Sequence, residues 1–403
     1  MVLAAVPALM VVAGSEDKEK NMKRIKIQPR ENWQTKVEAS GLLYHHNPDG
    51  TYWNESAYYL FNSQQIDVLD DAANDLDRLA MKAVQYVIDN NRFAQLGIAE
   101  EAIPLIKKSW MKKDPTLYGR FDFAYDGVNP PRMLEYNADT PTALLEASVI
   151  QWFWLQEVFG AGSDQFNSIH EKLLEMWPKI FRRWEEGSKL YLTCVADSME
   201  DLVTTTYLMD TAIEAGIKAE LIFIGDIGLG LEPFARFTTL DDITIENLFK
   251  LYPWEWLLAD KYGQNLVQTF DRMNWIEPIW KLILSSKGIL PILWELNPGH
   301  PNLLEAYFDG PRGMKEFVRK PLLSREGANV TVYHEGKEGF HTSGTYGEEG
   351  YIYQALVPIA CFDGNYPILG CWVIGGNSAG MGIRESQTLV TNNLSPFVPH
   401  RFE

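Results

Sequence analysis

Apolar residues recur at steps of three and four along residues 66–88, and charged residues occupy the other positions. The repeating apolar positions are Leu69, Ala73, Leu76, Ala80, Val84 and Val87. This spacing predicts an amphipathic helix that packs one face against a core. A second helix is expected from about Thr142 through EASVIQWFWLQEVF, with Pro141 in its first turn. Because that segment is mostly apolar, we expect its helix to be buried.

A strand–helix–strand pattern begins at Lys189, and its three parts are KLYLTCVA, MEDLVTTTYLMDTAIEAG and KAELIFIGDIGL. Gly216 is expected to end the helix. Strands that are continuously apolar are typical of a parallel sheet covered on both faces, so residues 188–280 are predicted to form a small Rossmann-like α/β unit. The glycines of GDIGLG do not form GxGxxG between a strand and a helix, which argues against dinucleotide binding.

Short strand-like segments separated by turns fill the chain after Lys315. They are KEFVRKPLLS, NVTVYHEGK, EGYIYQALVP, YPILGCWVIGG, SAGMGIRES and TLVTNNLS. Tight turns that contain glycine favour antiparallel neighbours, so these segments predict an antiparallel sheet.

Acidic and amide residues alternate with apolar ones in residues 120–140, RFDFAYDGVNPPRMLEYNADT. Alternate residues of a strand share a face, which places Arg120 with Asp122, and Glu135 with Asn137 and Asp139. The DGVNPP break between the two arms predicts an antiparallel hairpin. One face of this hairpin would then collect carboxylates, an amide and a guanidinium.

Carboxylates that are packed together repel each other unless a cation lies among them. Oxygen ligands of this kind suit Mg²⁺, which usually bridges protein carboxylates to substrate phosphates. The alternative is a solvated strand face with a single arginine pair. The apolar neighbours on both sides of each acidic position favour the metal site.

The segment VRKPLLSREGAN, residues 318–329, carries Lys320 near the end of a strand and then a short loop. Backbone N–H groups in such a turn, with lysine and arginine nearby, can bind an anion. A basic turn is often only solvated, so this signal is weak alone. The loop is not a Walker motif, because GxxxxGK[ST] does not occur in the sequence.

Composition narrows the class of partner. The 403 residues carry a formal net charge of -18, which disfavours binding to nucleic acid and anionic membranes and favours cationic partners such as amines.

The three cysteines, Cys194, Cys361 and Cys371, do not have the spacing of a metal or redox site, so we expect reduced core cysteines and a cytoplasmic protein. Residues 1–21 contain an apolar run too short to span a bilayer, and we interpret them as a tail outside the fold.

Several motifs together resemble one family. They are RFDF, LEYNADTPT, KLYPWEW, NPGHPNLL, KPLLSREGAN and GIRES. In order and spacing they resemble the synthetase domain of glutathionylspermidine synthase, and most closely its stand-alone bacterial relatives regarded as acid–amine ligases. The resemblance covers the chain from Met22 to its end. It implies an α+β fold, a circularly permuted ATP-grasp of the glutathione synthetase type, with ATP and Mg²⁺ as cofactors.

The resemblance also implies roles for individual residues. Asp122, Glu135 and Asn137 match the metal ligands, and Arg120 matches the residue that stabilises the phosphoryl group in transfer. Nucleotide or phosphate contacts are implied for Lys287, Lys320, Gly327, Gln354 and Arg384. Substrate contacts are implied for Thr140, Glu200 and Asp201.

The implied reaction is ATP-dependent ligation of a small or peptide-like acid, such as glutathione, to a polyamine-like amine through an acyl phosphate. The resemblance implies two domains. Residues 22–187 and 281–403 would form an ATP-grasp core that includes a lid, and residues 188–280 would form an α/β substrate-binding domain. The amidase domain of glutathionylspermidine synthase has no counterpart here, and the substrate positions match less well than the ATP site. Two roles stay open: Glu326 as a metal ligand, and Asp139 as a substrate contact or a support for its loop.

Two other functions would use part of this set of residues. A non-catalytic nucleotide-binding protein would not need a phosphoryl-transfer arginine such as Arg120. A glycoside hydrolase also uses paired carboxylates, but it gives no reason for Lys287, Lys320 and Arg384.

Overall fold

The computed structural model describes residues 22–47, 50–185, 187–230, 235–388 and 394–403. The predicted tail at residues 1–21 and most of the TLVTNNLS segment lie outside these ranges. Among the described helices, none combines the length and the apolar character needed to cross a bilayer.

A five-stranded antiparallel sheet, the central sheet, forms the middle of the fold. Its strands in spatial order are Phe397–Val398, Asn377–Ser386, Tyr366–Ile374, Tyr118–Ala124 and Arg132–Asn137. The last two strands form the predicted hairpin, here called the site hairpin. Arg120 lies opposite Asn137 and Asp122 lies opposite Glu135. The pairing brings the four polar residues to the middle of the hairpin.

The helix predicted at residues 66–88 extends over Ser63–Asp89 and packs on the central sheet. Asn62 caps it by accepting a hydrogen bond from the Gln65 backbone N–H, and the Gln65 side-chain oxygen accepts one from the Asn62 backbone N–H. This capping box fixes the start of the helix. All the predicted apolar positions are buried.

The lid sheet is a second, separate antiparallel sheet. Its strands in spatial order are Ala306–Tyr307, Tyr351–Ala355, Phe317–Pro321, Thr331–His334 and Lys337–His341. The antiparallel pairing predicted after Lys315 is confirmed, but the strands belong to two sheets and not to one. Residues 366–374 and 377–386 are buried along nearly their whole length and join the central sheet, whereas Lys337–His341 is exposed throughout. Turn signals alone do not distinguish these two environments.

A four-stranded sheet lies within residues 190–276. Its strands in spatial order are Asn274–Ile276, Asn247–Lys250, Leu190–Cys194 and Ala219–Phe223, and all neighbours are parallel. Helix Met199–Glu214 connects two of them, and Gly216 follows with a φ of 86°. A positive φ suits glycine after a helix. The parallel pairing predicted for residues 190–223 is confirmed.

The remaining elements surround these sheets. A small sheet joins Lys23–Lys26, Ala57–Phe61 and His400–Phe402, and short strand pairs join His46–Asn47 to Gly50–Thr51 and Gly228–Leu229 to Phe237–Thr238. The other α-helices are Trp33–Ala39, Ala102–Lys112, Gln151–Phe159, Ile169–Phe181, Trp254–Ala259, Gly263–Thr269, Leu282–Ser285 and Ile289–Leu296. Short 3₁₀ turns are Phe93–Leu96, Ile224–Asp226, Phe270–Arg272 and Ile279–Lys281.

Two expectations about burial need correction. The apolar helix expected after Thr142 is a π-helical turn, Glu146–Ile150, continued by the α-helix Gln151–Phe159. This helix lies at the surface and exposes Trp152 and Phe153, because only one side of it faces the core. Cys194 and Cys371 are buried as expected, but Cys361 is exposed.

Candidate active site

The four polar residues of the site hairpin contact one another directly. Arg120 donates from Nε to Asp122 Oδ1 at 2.6 Å and from Nη2 to Oδ2 at 3.0 Å. The Asn137 amide donates to Asp122 Oδ2 at 2.9 Å and to Glu135 Oε1 at 3.2 Å. A bidentate guanidinium–carboxylate pair of this kind is strong and fixes both side chains.

Arg120 is also held from two other directions. Its Nη1 donates to the carbonyl oxygen of Thr142 at 2.8 Å, and the guanidinium lies 5.6 Å from the centre of the Trp372 ring. On the neighbouring strand, Gly370 leaves room for the side chain, since a Cβ there would lie 2.7 Å from Arg120 Cδ. The arginine is therefore oriented before any ligand binds.

Lys287 and Lys320 approach the hairpin from the lid side. Lys287 Nζ lies 3.2 Å from Glu135 Oε2 and donates to the carbonyl of Ser324 at 2.7 Å. Lys320 Nζ donates to the carbonyl of Leu134 at 3.0 Å and to Gln354 Oε1 at 2.7 Å. Burial would raise the pKa of Glu135, but the ammonium groups of Lys287 and Lys320 outweigh it and lower that pKa to about 2. Burial lowers the pKa of Lys320 to about 8, although Glu135 opposes the change.

A cavity of about 250 Å³ opens between the site hairpin, the lid sheet and the parallel sheet. The predicted site residues in its wall are Arg120, Asp122, Glu135, Asn137, Thr140, Glu200, Asp201, Lys287, Gly327 and Arg384. Within the described residues, Lys320 and Gln354 are not part of this wall, and they contact each other behind strand Arg132–Asn137. Glu326 lines the cavity too, at its exposed rim.

Arg384, Glu200 and Thr142 contact one another in a further part of the cavity wall. Arg384 Nη2 donates to Glu200 Oε1 at 2.6 Å, and the Thr142 hydroxyl donates to the same oxygen at 2.8 Å. Next to Glu200, burial raises the pKa of Asp201 to about 6; Ser198 lowers it, while Glu200 and Glu326 add to the increase. This part of the cavity therefore presents one guanidinium and several carboxylates.

Asp139 is the exception among the predicted hairpin residues. The strand ends at Asn137, so the alternation no longer applies to Asp139, which also lines the cavity but whose carboxylate is fully buried and bonded elsewhere. It accepts from Lys250 Nζ at 2.5 Å and from the Trp254 backbone N–H at 3.1 Å. In this structure Asp139 supports the loop after the hairpin.

Sequence reasoning missed several polar residues near the cavity. Arg325 donates to Thr140 Oγ1 at 2.8 Å and to Glu255 Oε1 at 2.6 Å, beside the face of Trp256. In the segment KLYPWEW, Trp254 is buried, whereas Trp256 lines the cavity wall. Signals existed for Arg325, which lies in the basic loop noted above, and for Glu255 beside it in KLYPWEW.

A buried polar cluster also adjoins Arg384, and it was not predicted. Tyr44, Tyr52 and Glu146 lie behind the guanidinium, joined by hydrogen bonds to a single oxygen of Glu146. The sequence could have indicated Glu146, because it is a carboxylate in an otherwise apolar helical segment. Tyr52 gave no signal, because it is 332 residues from Arg384 in the sequence.

The hairpin supplies hard oxygen donors, which is the chemistry that Mg²⁺ prefers. Asp122 and Glu135 contribute carboxylates and Asn137 an amide, and each carboxylate is now paired with a protein cation, Arg120 or Lys287. Over the described ranges, no group of three or more His, Cys, Asp or Glu residues is arranged to hold a metal ion. The donor set thus fits an ion that takes part of its coordination from water or phosphate.

The family comparison covers nearly the whole chain, since residues 24–403 match the model described as glutathionylspermidine synthase preATP-grasp. A Haemophilus influenzae protein named "Putative acid–amine ligase" is 40% identical over 376 residues, which are 90% of this chain and 94% of that protein. Trypanothione synthetase of Crithidia fasciculata is 30% identical over 354 residues, 80% of this chain and 53% of that protein. The bifunctional glutathionylspermidine synthetase/amidase of Escherichia coli is 24% identical over 391 residues, 90% of this chain and 61% of that protein.

The chain thus spans nearly all of the first relative but only 53% and 61% of the other two. Among solved structures, a glutathione synthetase-like effector from Globodera pallida matches with a TM-score of 0.54 at 11% identity, covering 92% of this chain and 95% of that chain. This likeness concerns the fold, which is α+β and ATP-grasp-like. The sequence match over almost the full length shows that the chain belongs to the glutathionylspermidine synthase family.

Proposed function

We propose that this protein is an ATP-dependent ligase that joins a peptide-like carboxylic acid to an amine through an acyl phosphate. The observation that carries the proposal is the convergence of Arg120, the Asp122–Glu135–Asn137 group and Lys287 in one cavity wall with Arg384. Phosphoryl transfer depends mainly on positioning and on neutralising charge, which this set of groups suits.

The proposed reaction has two steps. The acid carboxylate attacks the γ-phosphorus of ATP, giving an acyl phosphate and ADP. The amine nitrogen then attacks the acyl carbon, forming the amide and releasing phosphate and a proton. Asp122, Glu135 and Asn137 would hold Mg²⁺, which when bound offsets the charge of the phosphates.

Each side chain has a defined task in this proposal. Arg120, fixed by Asp122, stabilises the phosphoryl group in transfer, and a guanidinium oriented in advance does so without reorganising. Lys287 contacts phosphate oxygens, and the backbone at Gly327 lies in the loop above them. Lys320 and Gln354 support the nucleotide from behind the hairpin. Arg384 lies at the end of the cavity where the acid carboxylate would enter.

Thr140, Glu200 and Asp201 are proposed to contact the organic substrates. This role is supported by the position of all three residues in the cavity wall. The carboxylates of Glu200 and Asp201 also suit the positive charge of an amine. A lid over residues 324–350 would exclude water from the acyl phosphate.

The domain division is also part of the proposal. An ATP-grasp core with its lid would comprise residues 22–187 and 281–403, in circularly permuted order, and a Rossmann-like substrate domain would comprise residues 188–280. The confinement of the parallel sheet to residues 190–276 supports this boundary. The placement of both antiparallel sheets outside that range supports it as well.

The other functions explain less of the site. A hydrolase that cleaves glycosides with two carboxylates has no need for the cations Arg120 and Lys287, which pair here with Asp122 and Glu135. A non-catalytic nucleotide-binding protein leaves the three-point orientation of Arg120 without a purpose.

The test is to incubate the purified protein with MgATP, candidate peptides and a panel of amines. Mass spectrometry should detect a product with the mass of acid plus amine minus water, together with equal amounts of ADP and phosphate. Asp122→Asn should lower turnover by about a hundredfold or more, because it disturbs both the proposed metal site and Arg120.

The matched control is Asp67→Asn, a carboxylate on the exposed side of helix Ser63–Asp89, which should leave turnover unchanged. Two results would count against the ligase: phosphate release at background level with every acid–amine pair, or full activity in Asp122→Asn.

A further inference from the structure

The cluster behind Arg384 converges from distant parts of the chain. Arg384 comes from the central sheet, Glu146 from the π-helical turn Glu146–Ile150, and Tyr44 and Tyr52 from the N-terminal region. A π-helical turn shifts the side chains that follow it and is frequent near functional sites. Here it places a carboxyl group, fully buried, behind the cavity wall.

Hydrogen-bond directions in the cluster follow from the chemistry of its groups. The Tyr52 hydroxyl donates to Glu146 Oε1 at 2.6 Å, and the Tyr44 hydroxyl donates to the same oxygen at 2.8 Å. A tyrosine hydroxyl has one hydrogen, so the bond to Glu146 leaves only the lone pairs of the Tyr52 oxygen for other partners. Arg384 Nη2 donates to that oxygen at 3.3 Å.

The guanidinium of Arg384 is therefore held on two sides. Glu200 accepts from it on the cavity side, and Tyr52 accepts from it on the buried side, where the guanidinium also lies 5.5 Å from the centre of the Tyr52 ring. If the Tyr52 hydrogen turned toward Arg384, a donor would face a donor. Glu146 prevents this by fixing the hydrogen on the opposite side.

Among the described residues, the side-chain hydrogen bonds that Glu146 accepts come from the hydroxyls of Tyr44 and Tyr52. Burial raises the pKa of this carboxyl, and the bonds from Tyr52 and Tyr44 only partly oppose the increase. Among the described residues, its second oxygen, Oε2, has no hydrogen-bond partner. A buried polar atom without a partner destabilises the folded protein, so this arrangement is unfavourable unless it serves the site.

We infer that Glu146 is a positioning residue, which acts through Tyr52 to hold Arg384 where the acid substrate binds. The inference rests on the proposed ligase function for the identity of that substrate, but the placement of Arg384 can be tested without it. Glu146 does not touch the reacting atoms. Its contribution is the hydrogen-bond acceptor that sets the direction of the Tyr52 hydroxyl.

Four variants separate this role from simple packing. Tyr52→Phe and Glu146→Leu remove the link to Arg384, whereas Glu146→Gln keeps an oxygen acceptor of the same shape. Tyr44→Phe is the matched control, since it removes one hydroxyl bond to the same Glu146 oxygen without touching Arg384. If Glu146→Leu does not fold, Tyr52→Phe tests the same link.

The kinetic readout uses the acid–amine pair found in the ligation panel. In Tyr52→Phe and Glu146→Leu the KM for the acid should rise about tenfold, equivalent to about 1.4 kcal/mol, while the KM for ATP stays the same. Glu146→Gln and Tyr44→Phe should keep the wild-type KM for the acid. A purely structural role would change stability in all four variants and move neither KM selectively.

Crystal structures of the variants give the readout that does not depend on ligation. The Arg384 guanidinium should leave its wild-type position in Tyr52→Phe and Glu146→Leu and keep it in the other two variants. An unmoved Arg384 in Tyr52→Phe would overturn the inference, and so would a Glu146→Gln variant as impaired as Glu146→Leu. If the wild type ligates nothing, the ligase proposal fails and the position of Arg384 alone decides the inference.

Discussion

The ionisation of Asp201, a residue of the cavity wall, should affect the stability of the folded protein. It lies in the first turn of helix Met199–Glu214, half-buried beside Glu200 and facing Glu326. Burial raises its pKa from the ordinary 3.8 to about 6. The folded state therefore binds the proton more tightly than the unfolded state. Stability falls as pH rises from 3.8 to about 6, and the full penalty is present above that pH.

Asp201→Asn should accordingly stabilise the protein at pH 7.5 and much less at pH 4.5. The expected gain near neutral pH is about 1–2 kcal/mol, after allowance for solvent screening of a partly exposed group and for lost interaction with the helix N-terminus. Urea unfolding at the two pH values measures it. The control is Asp197→Asn, which changes an exposed carboxylate just before the same helix and should leave stability nearly unchanged. Equal effects of Asp201→Asn at both pH values would contradict the expectation.

At the residue scale, the alternation of a strand was enough to predict which side chains of the site hairpin meet. Arg120, Asp122, Glu135 and Asn137 are in contact because the period-two rule holds as far as the strand extends. It fails at Asp139, two residues beyond, where the strand has ended. No local pattern can predict Tyr52 beside Arg384, because that contact depends on the complete packing of the chain.

The junction between the site hairpin and the parallel sheet depends on one buried ion pair. Asp139, after the hairpin, accepts from Lys250 at the end of strand Asn247–Lys250, and neither side chain is exposed. Burial lowers the pKa of Lys250, and Asp139 opposes the change. The lysine also lies 4.6 Å from the centre of the Trp254 ring, which contributes further to its position.

Removing one member of this pair should be far more damaging than removing an exposed pair. Lys250→Met should destabilise the protein by about 3–5 kcal/mol, because it leaves the Asp139 carboxylate buried without its cation. The same-sheet control is Lys189→Met, whose partner Glu220 lies 2.7 Å away at the surface, and it should have almost no effect. Urea unfolding measures both variants. Similar losses would mean that the junction does not depend on the buried pair.

Helices and strands were predicted correctly where apolar residues recur with a clear helical or strand period. A strand was missed where polar residues are buried. Helix Ser63–Asp89 and the strand–helix–strand segment from Leu190 to Phe223 follow their patterns. Strand Asn247–Lys250 was missed because its Asn and Lys are polar, although all four residues are buried. Asn247 is satisfied there by Ser188 and Lys189, and Lys250 by Asp139. These partners are not visible in the sequence.

The whole molecule brings opposite charges together in the cavity while its net charge stays strongly negative. Arginine and lysine groups concentrate beside the proposed nucleotide and acid sites, and carboxylates line the end near Glu200 and Asp201. The family and the ATP-grasp-like fold could be predicted from motifs that occur in a fixed order between residues 120 and 386, and the family model matches residues 24–403. The assignment of antiparallel strands to two sheets could not, since both sheets use the same turn chemistry.

The net charge of -18 leaves two explanations, attraction of a cationic amine or solubility alone. If the protein is the proposed ligase, the two explanations predict a different dependence of kcat/KM for the amine on salt concentration. When NaCl rises from about 0.02 M to about 0.3 M, the Debye length falls from about 20 Å to about 6 Å, which screens long-range attraction. If the charge attracts substrate, kcat/KM for a triamine should fall several-fold over this range, while that for a monoamine of the same chain length should change little. Sucrose at matched osmolality controls for non-ionic effects. Equal salt dependence for the two amines would assign the charge to solubility, and a steeper slope for the triamine would show that the molecule's overall field contributes to amine selection.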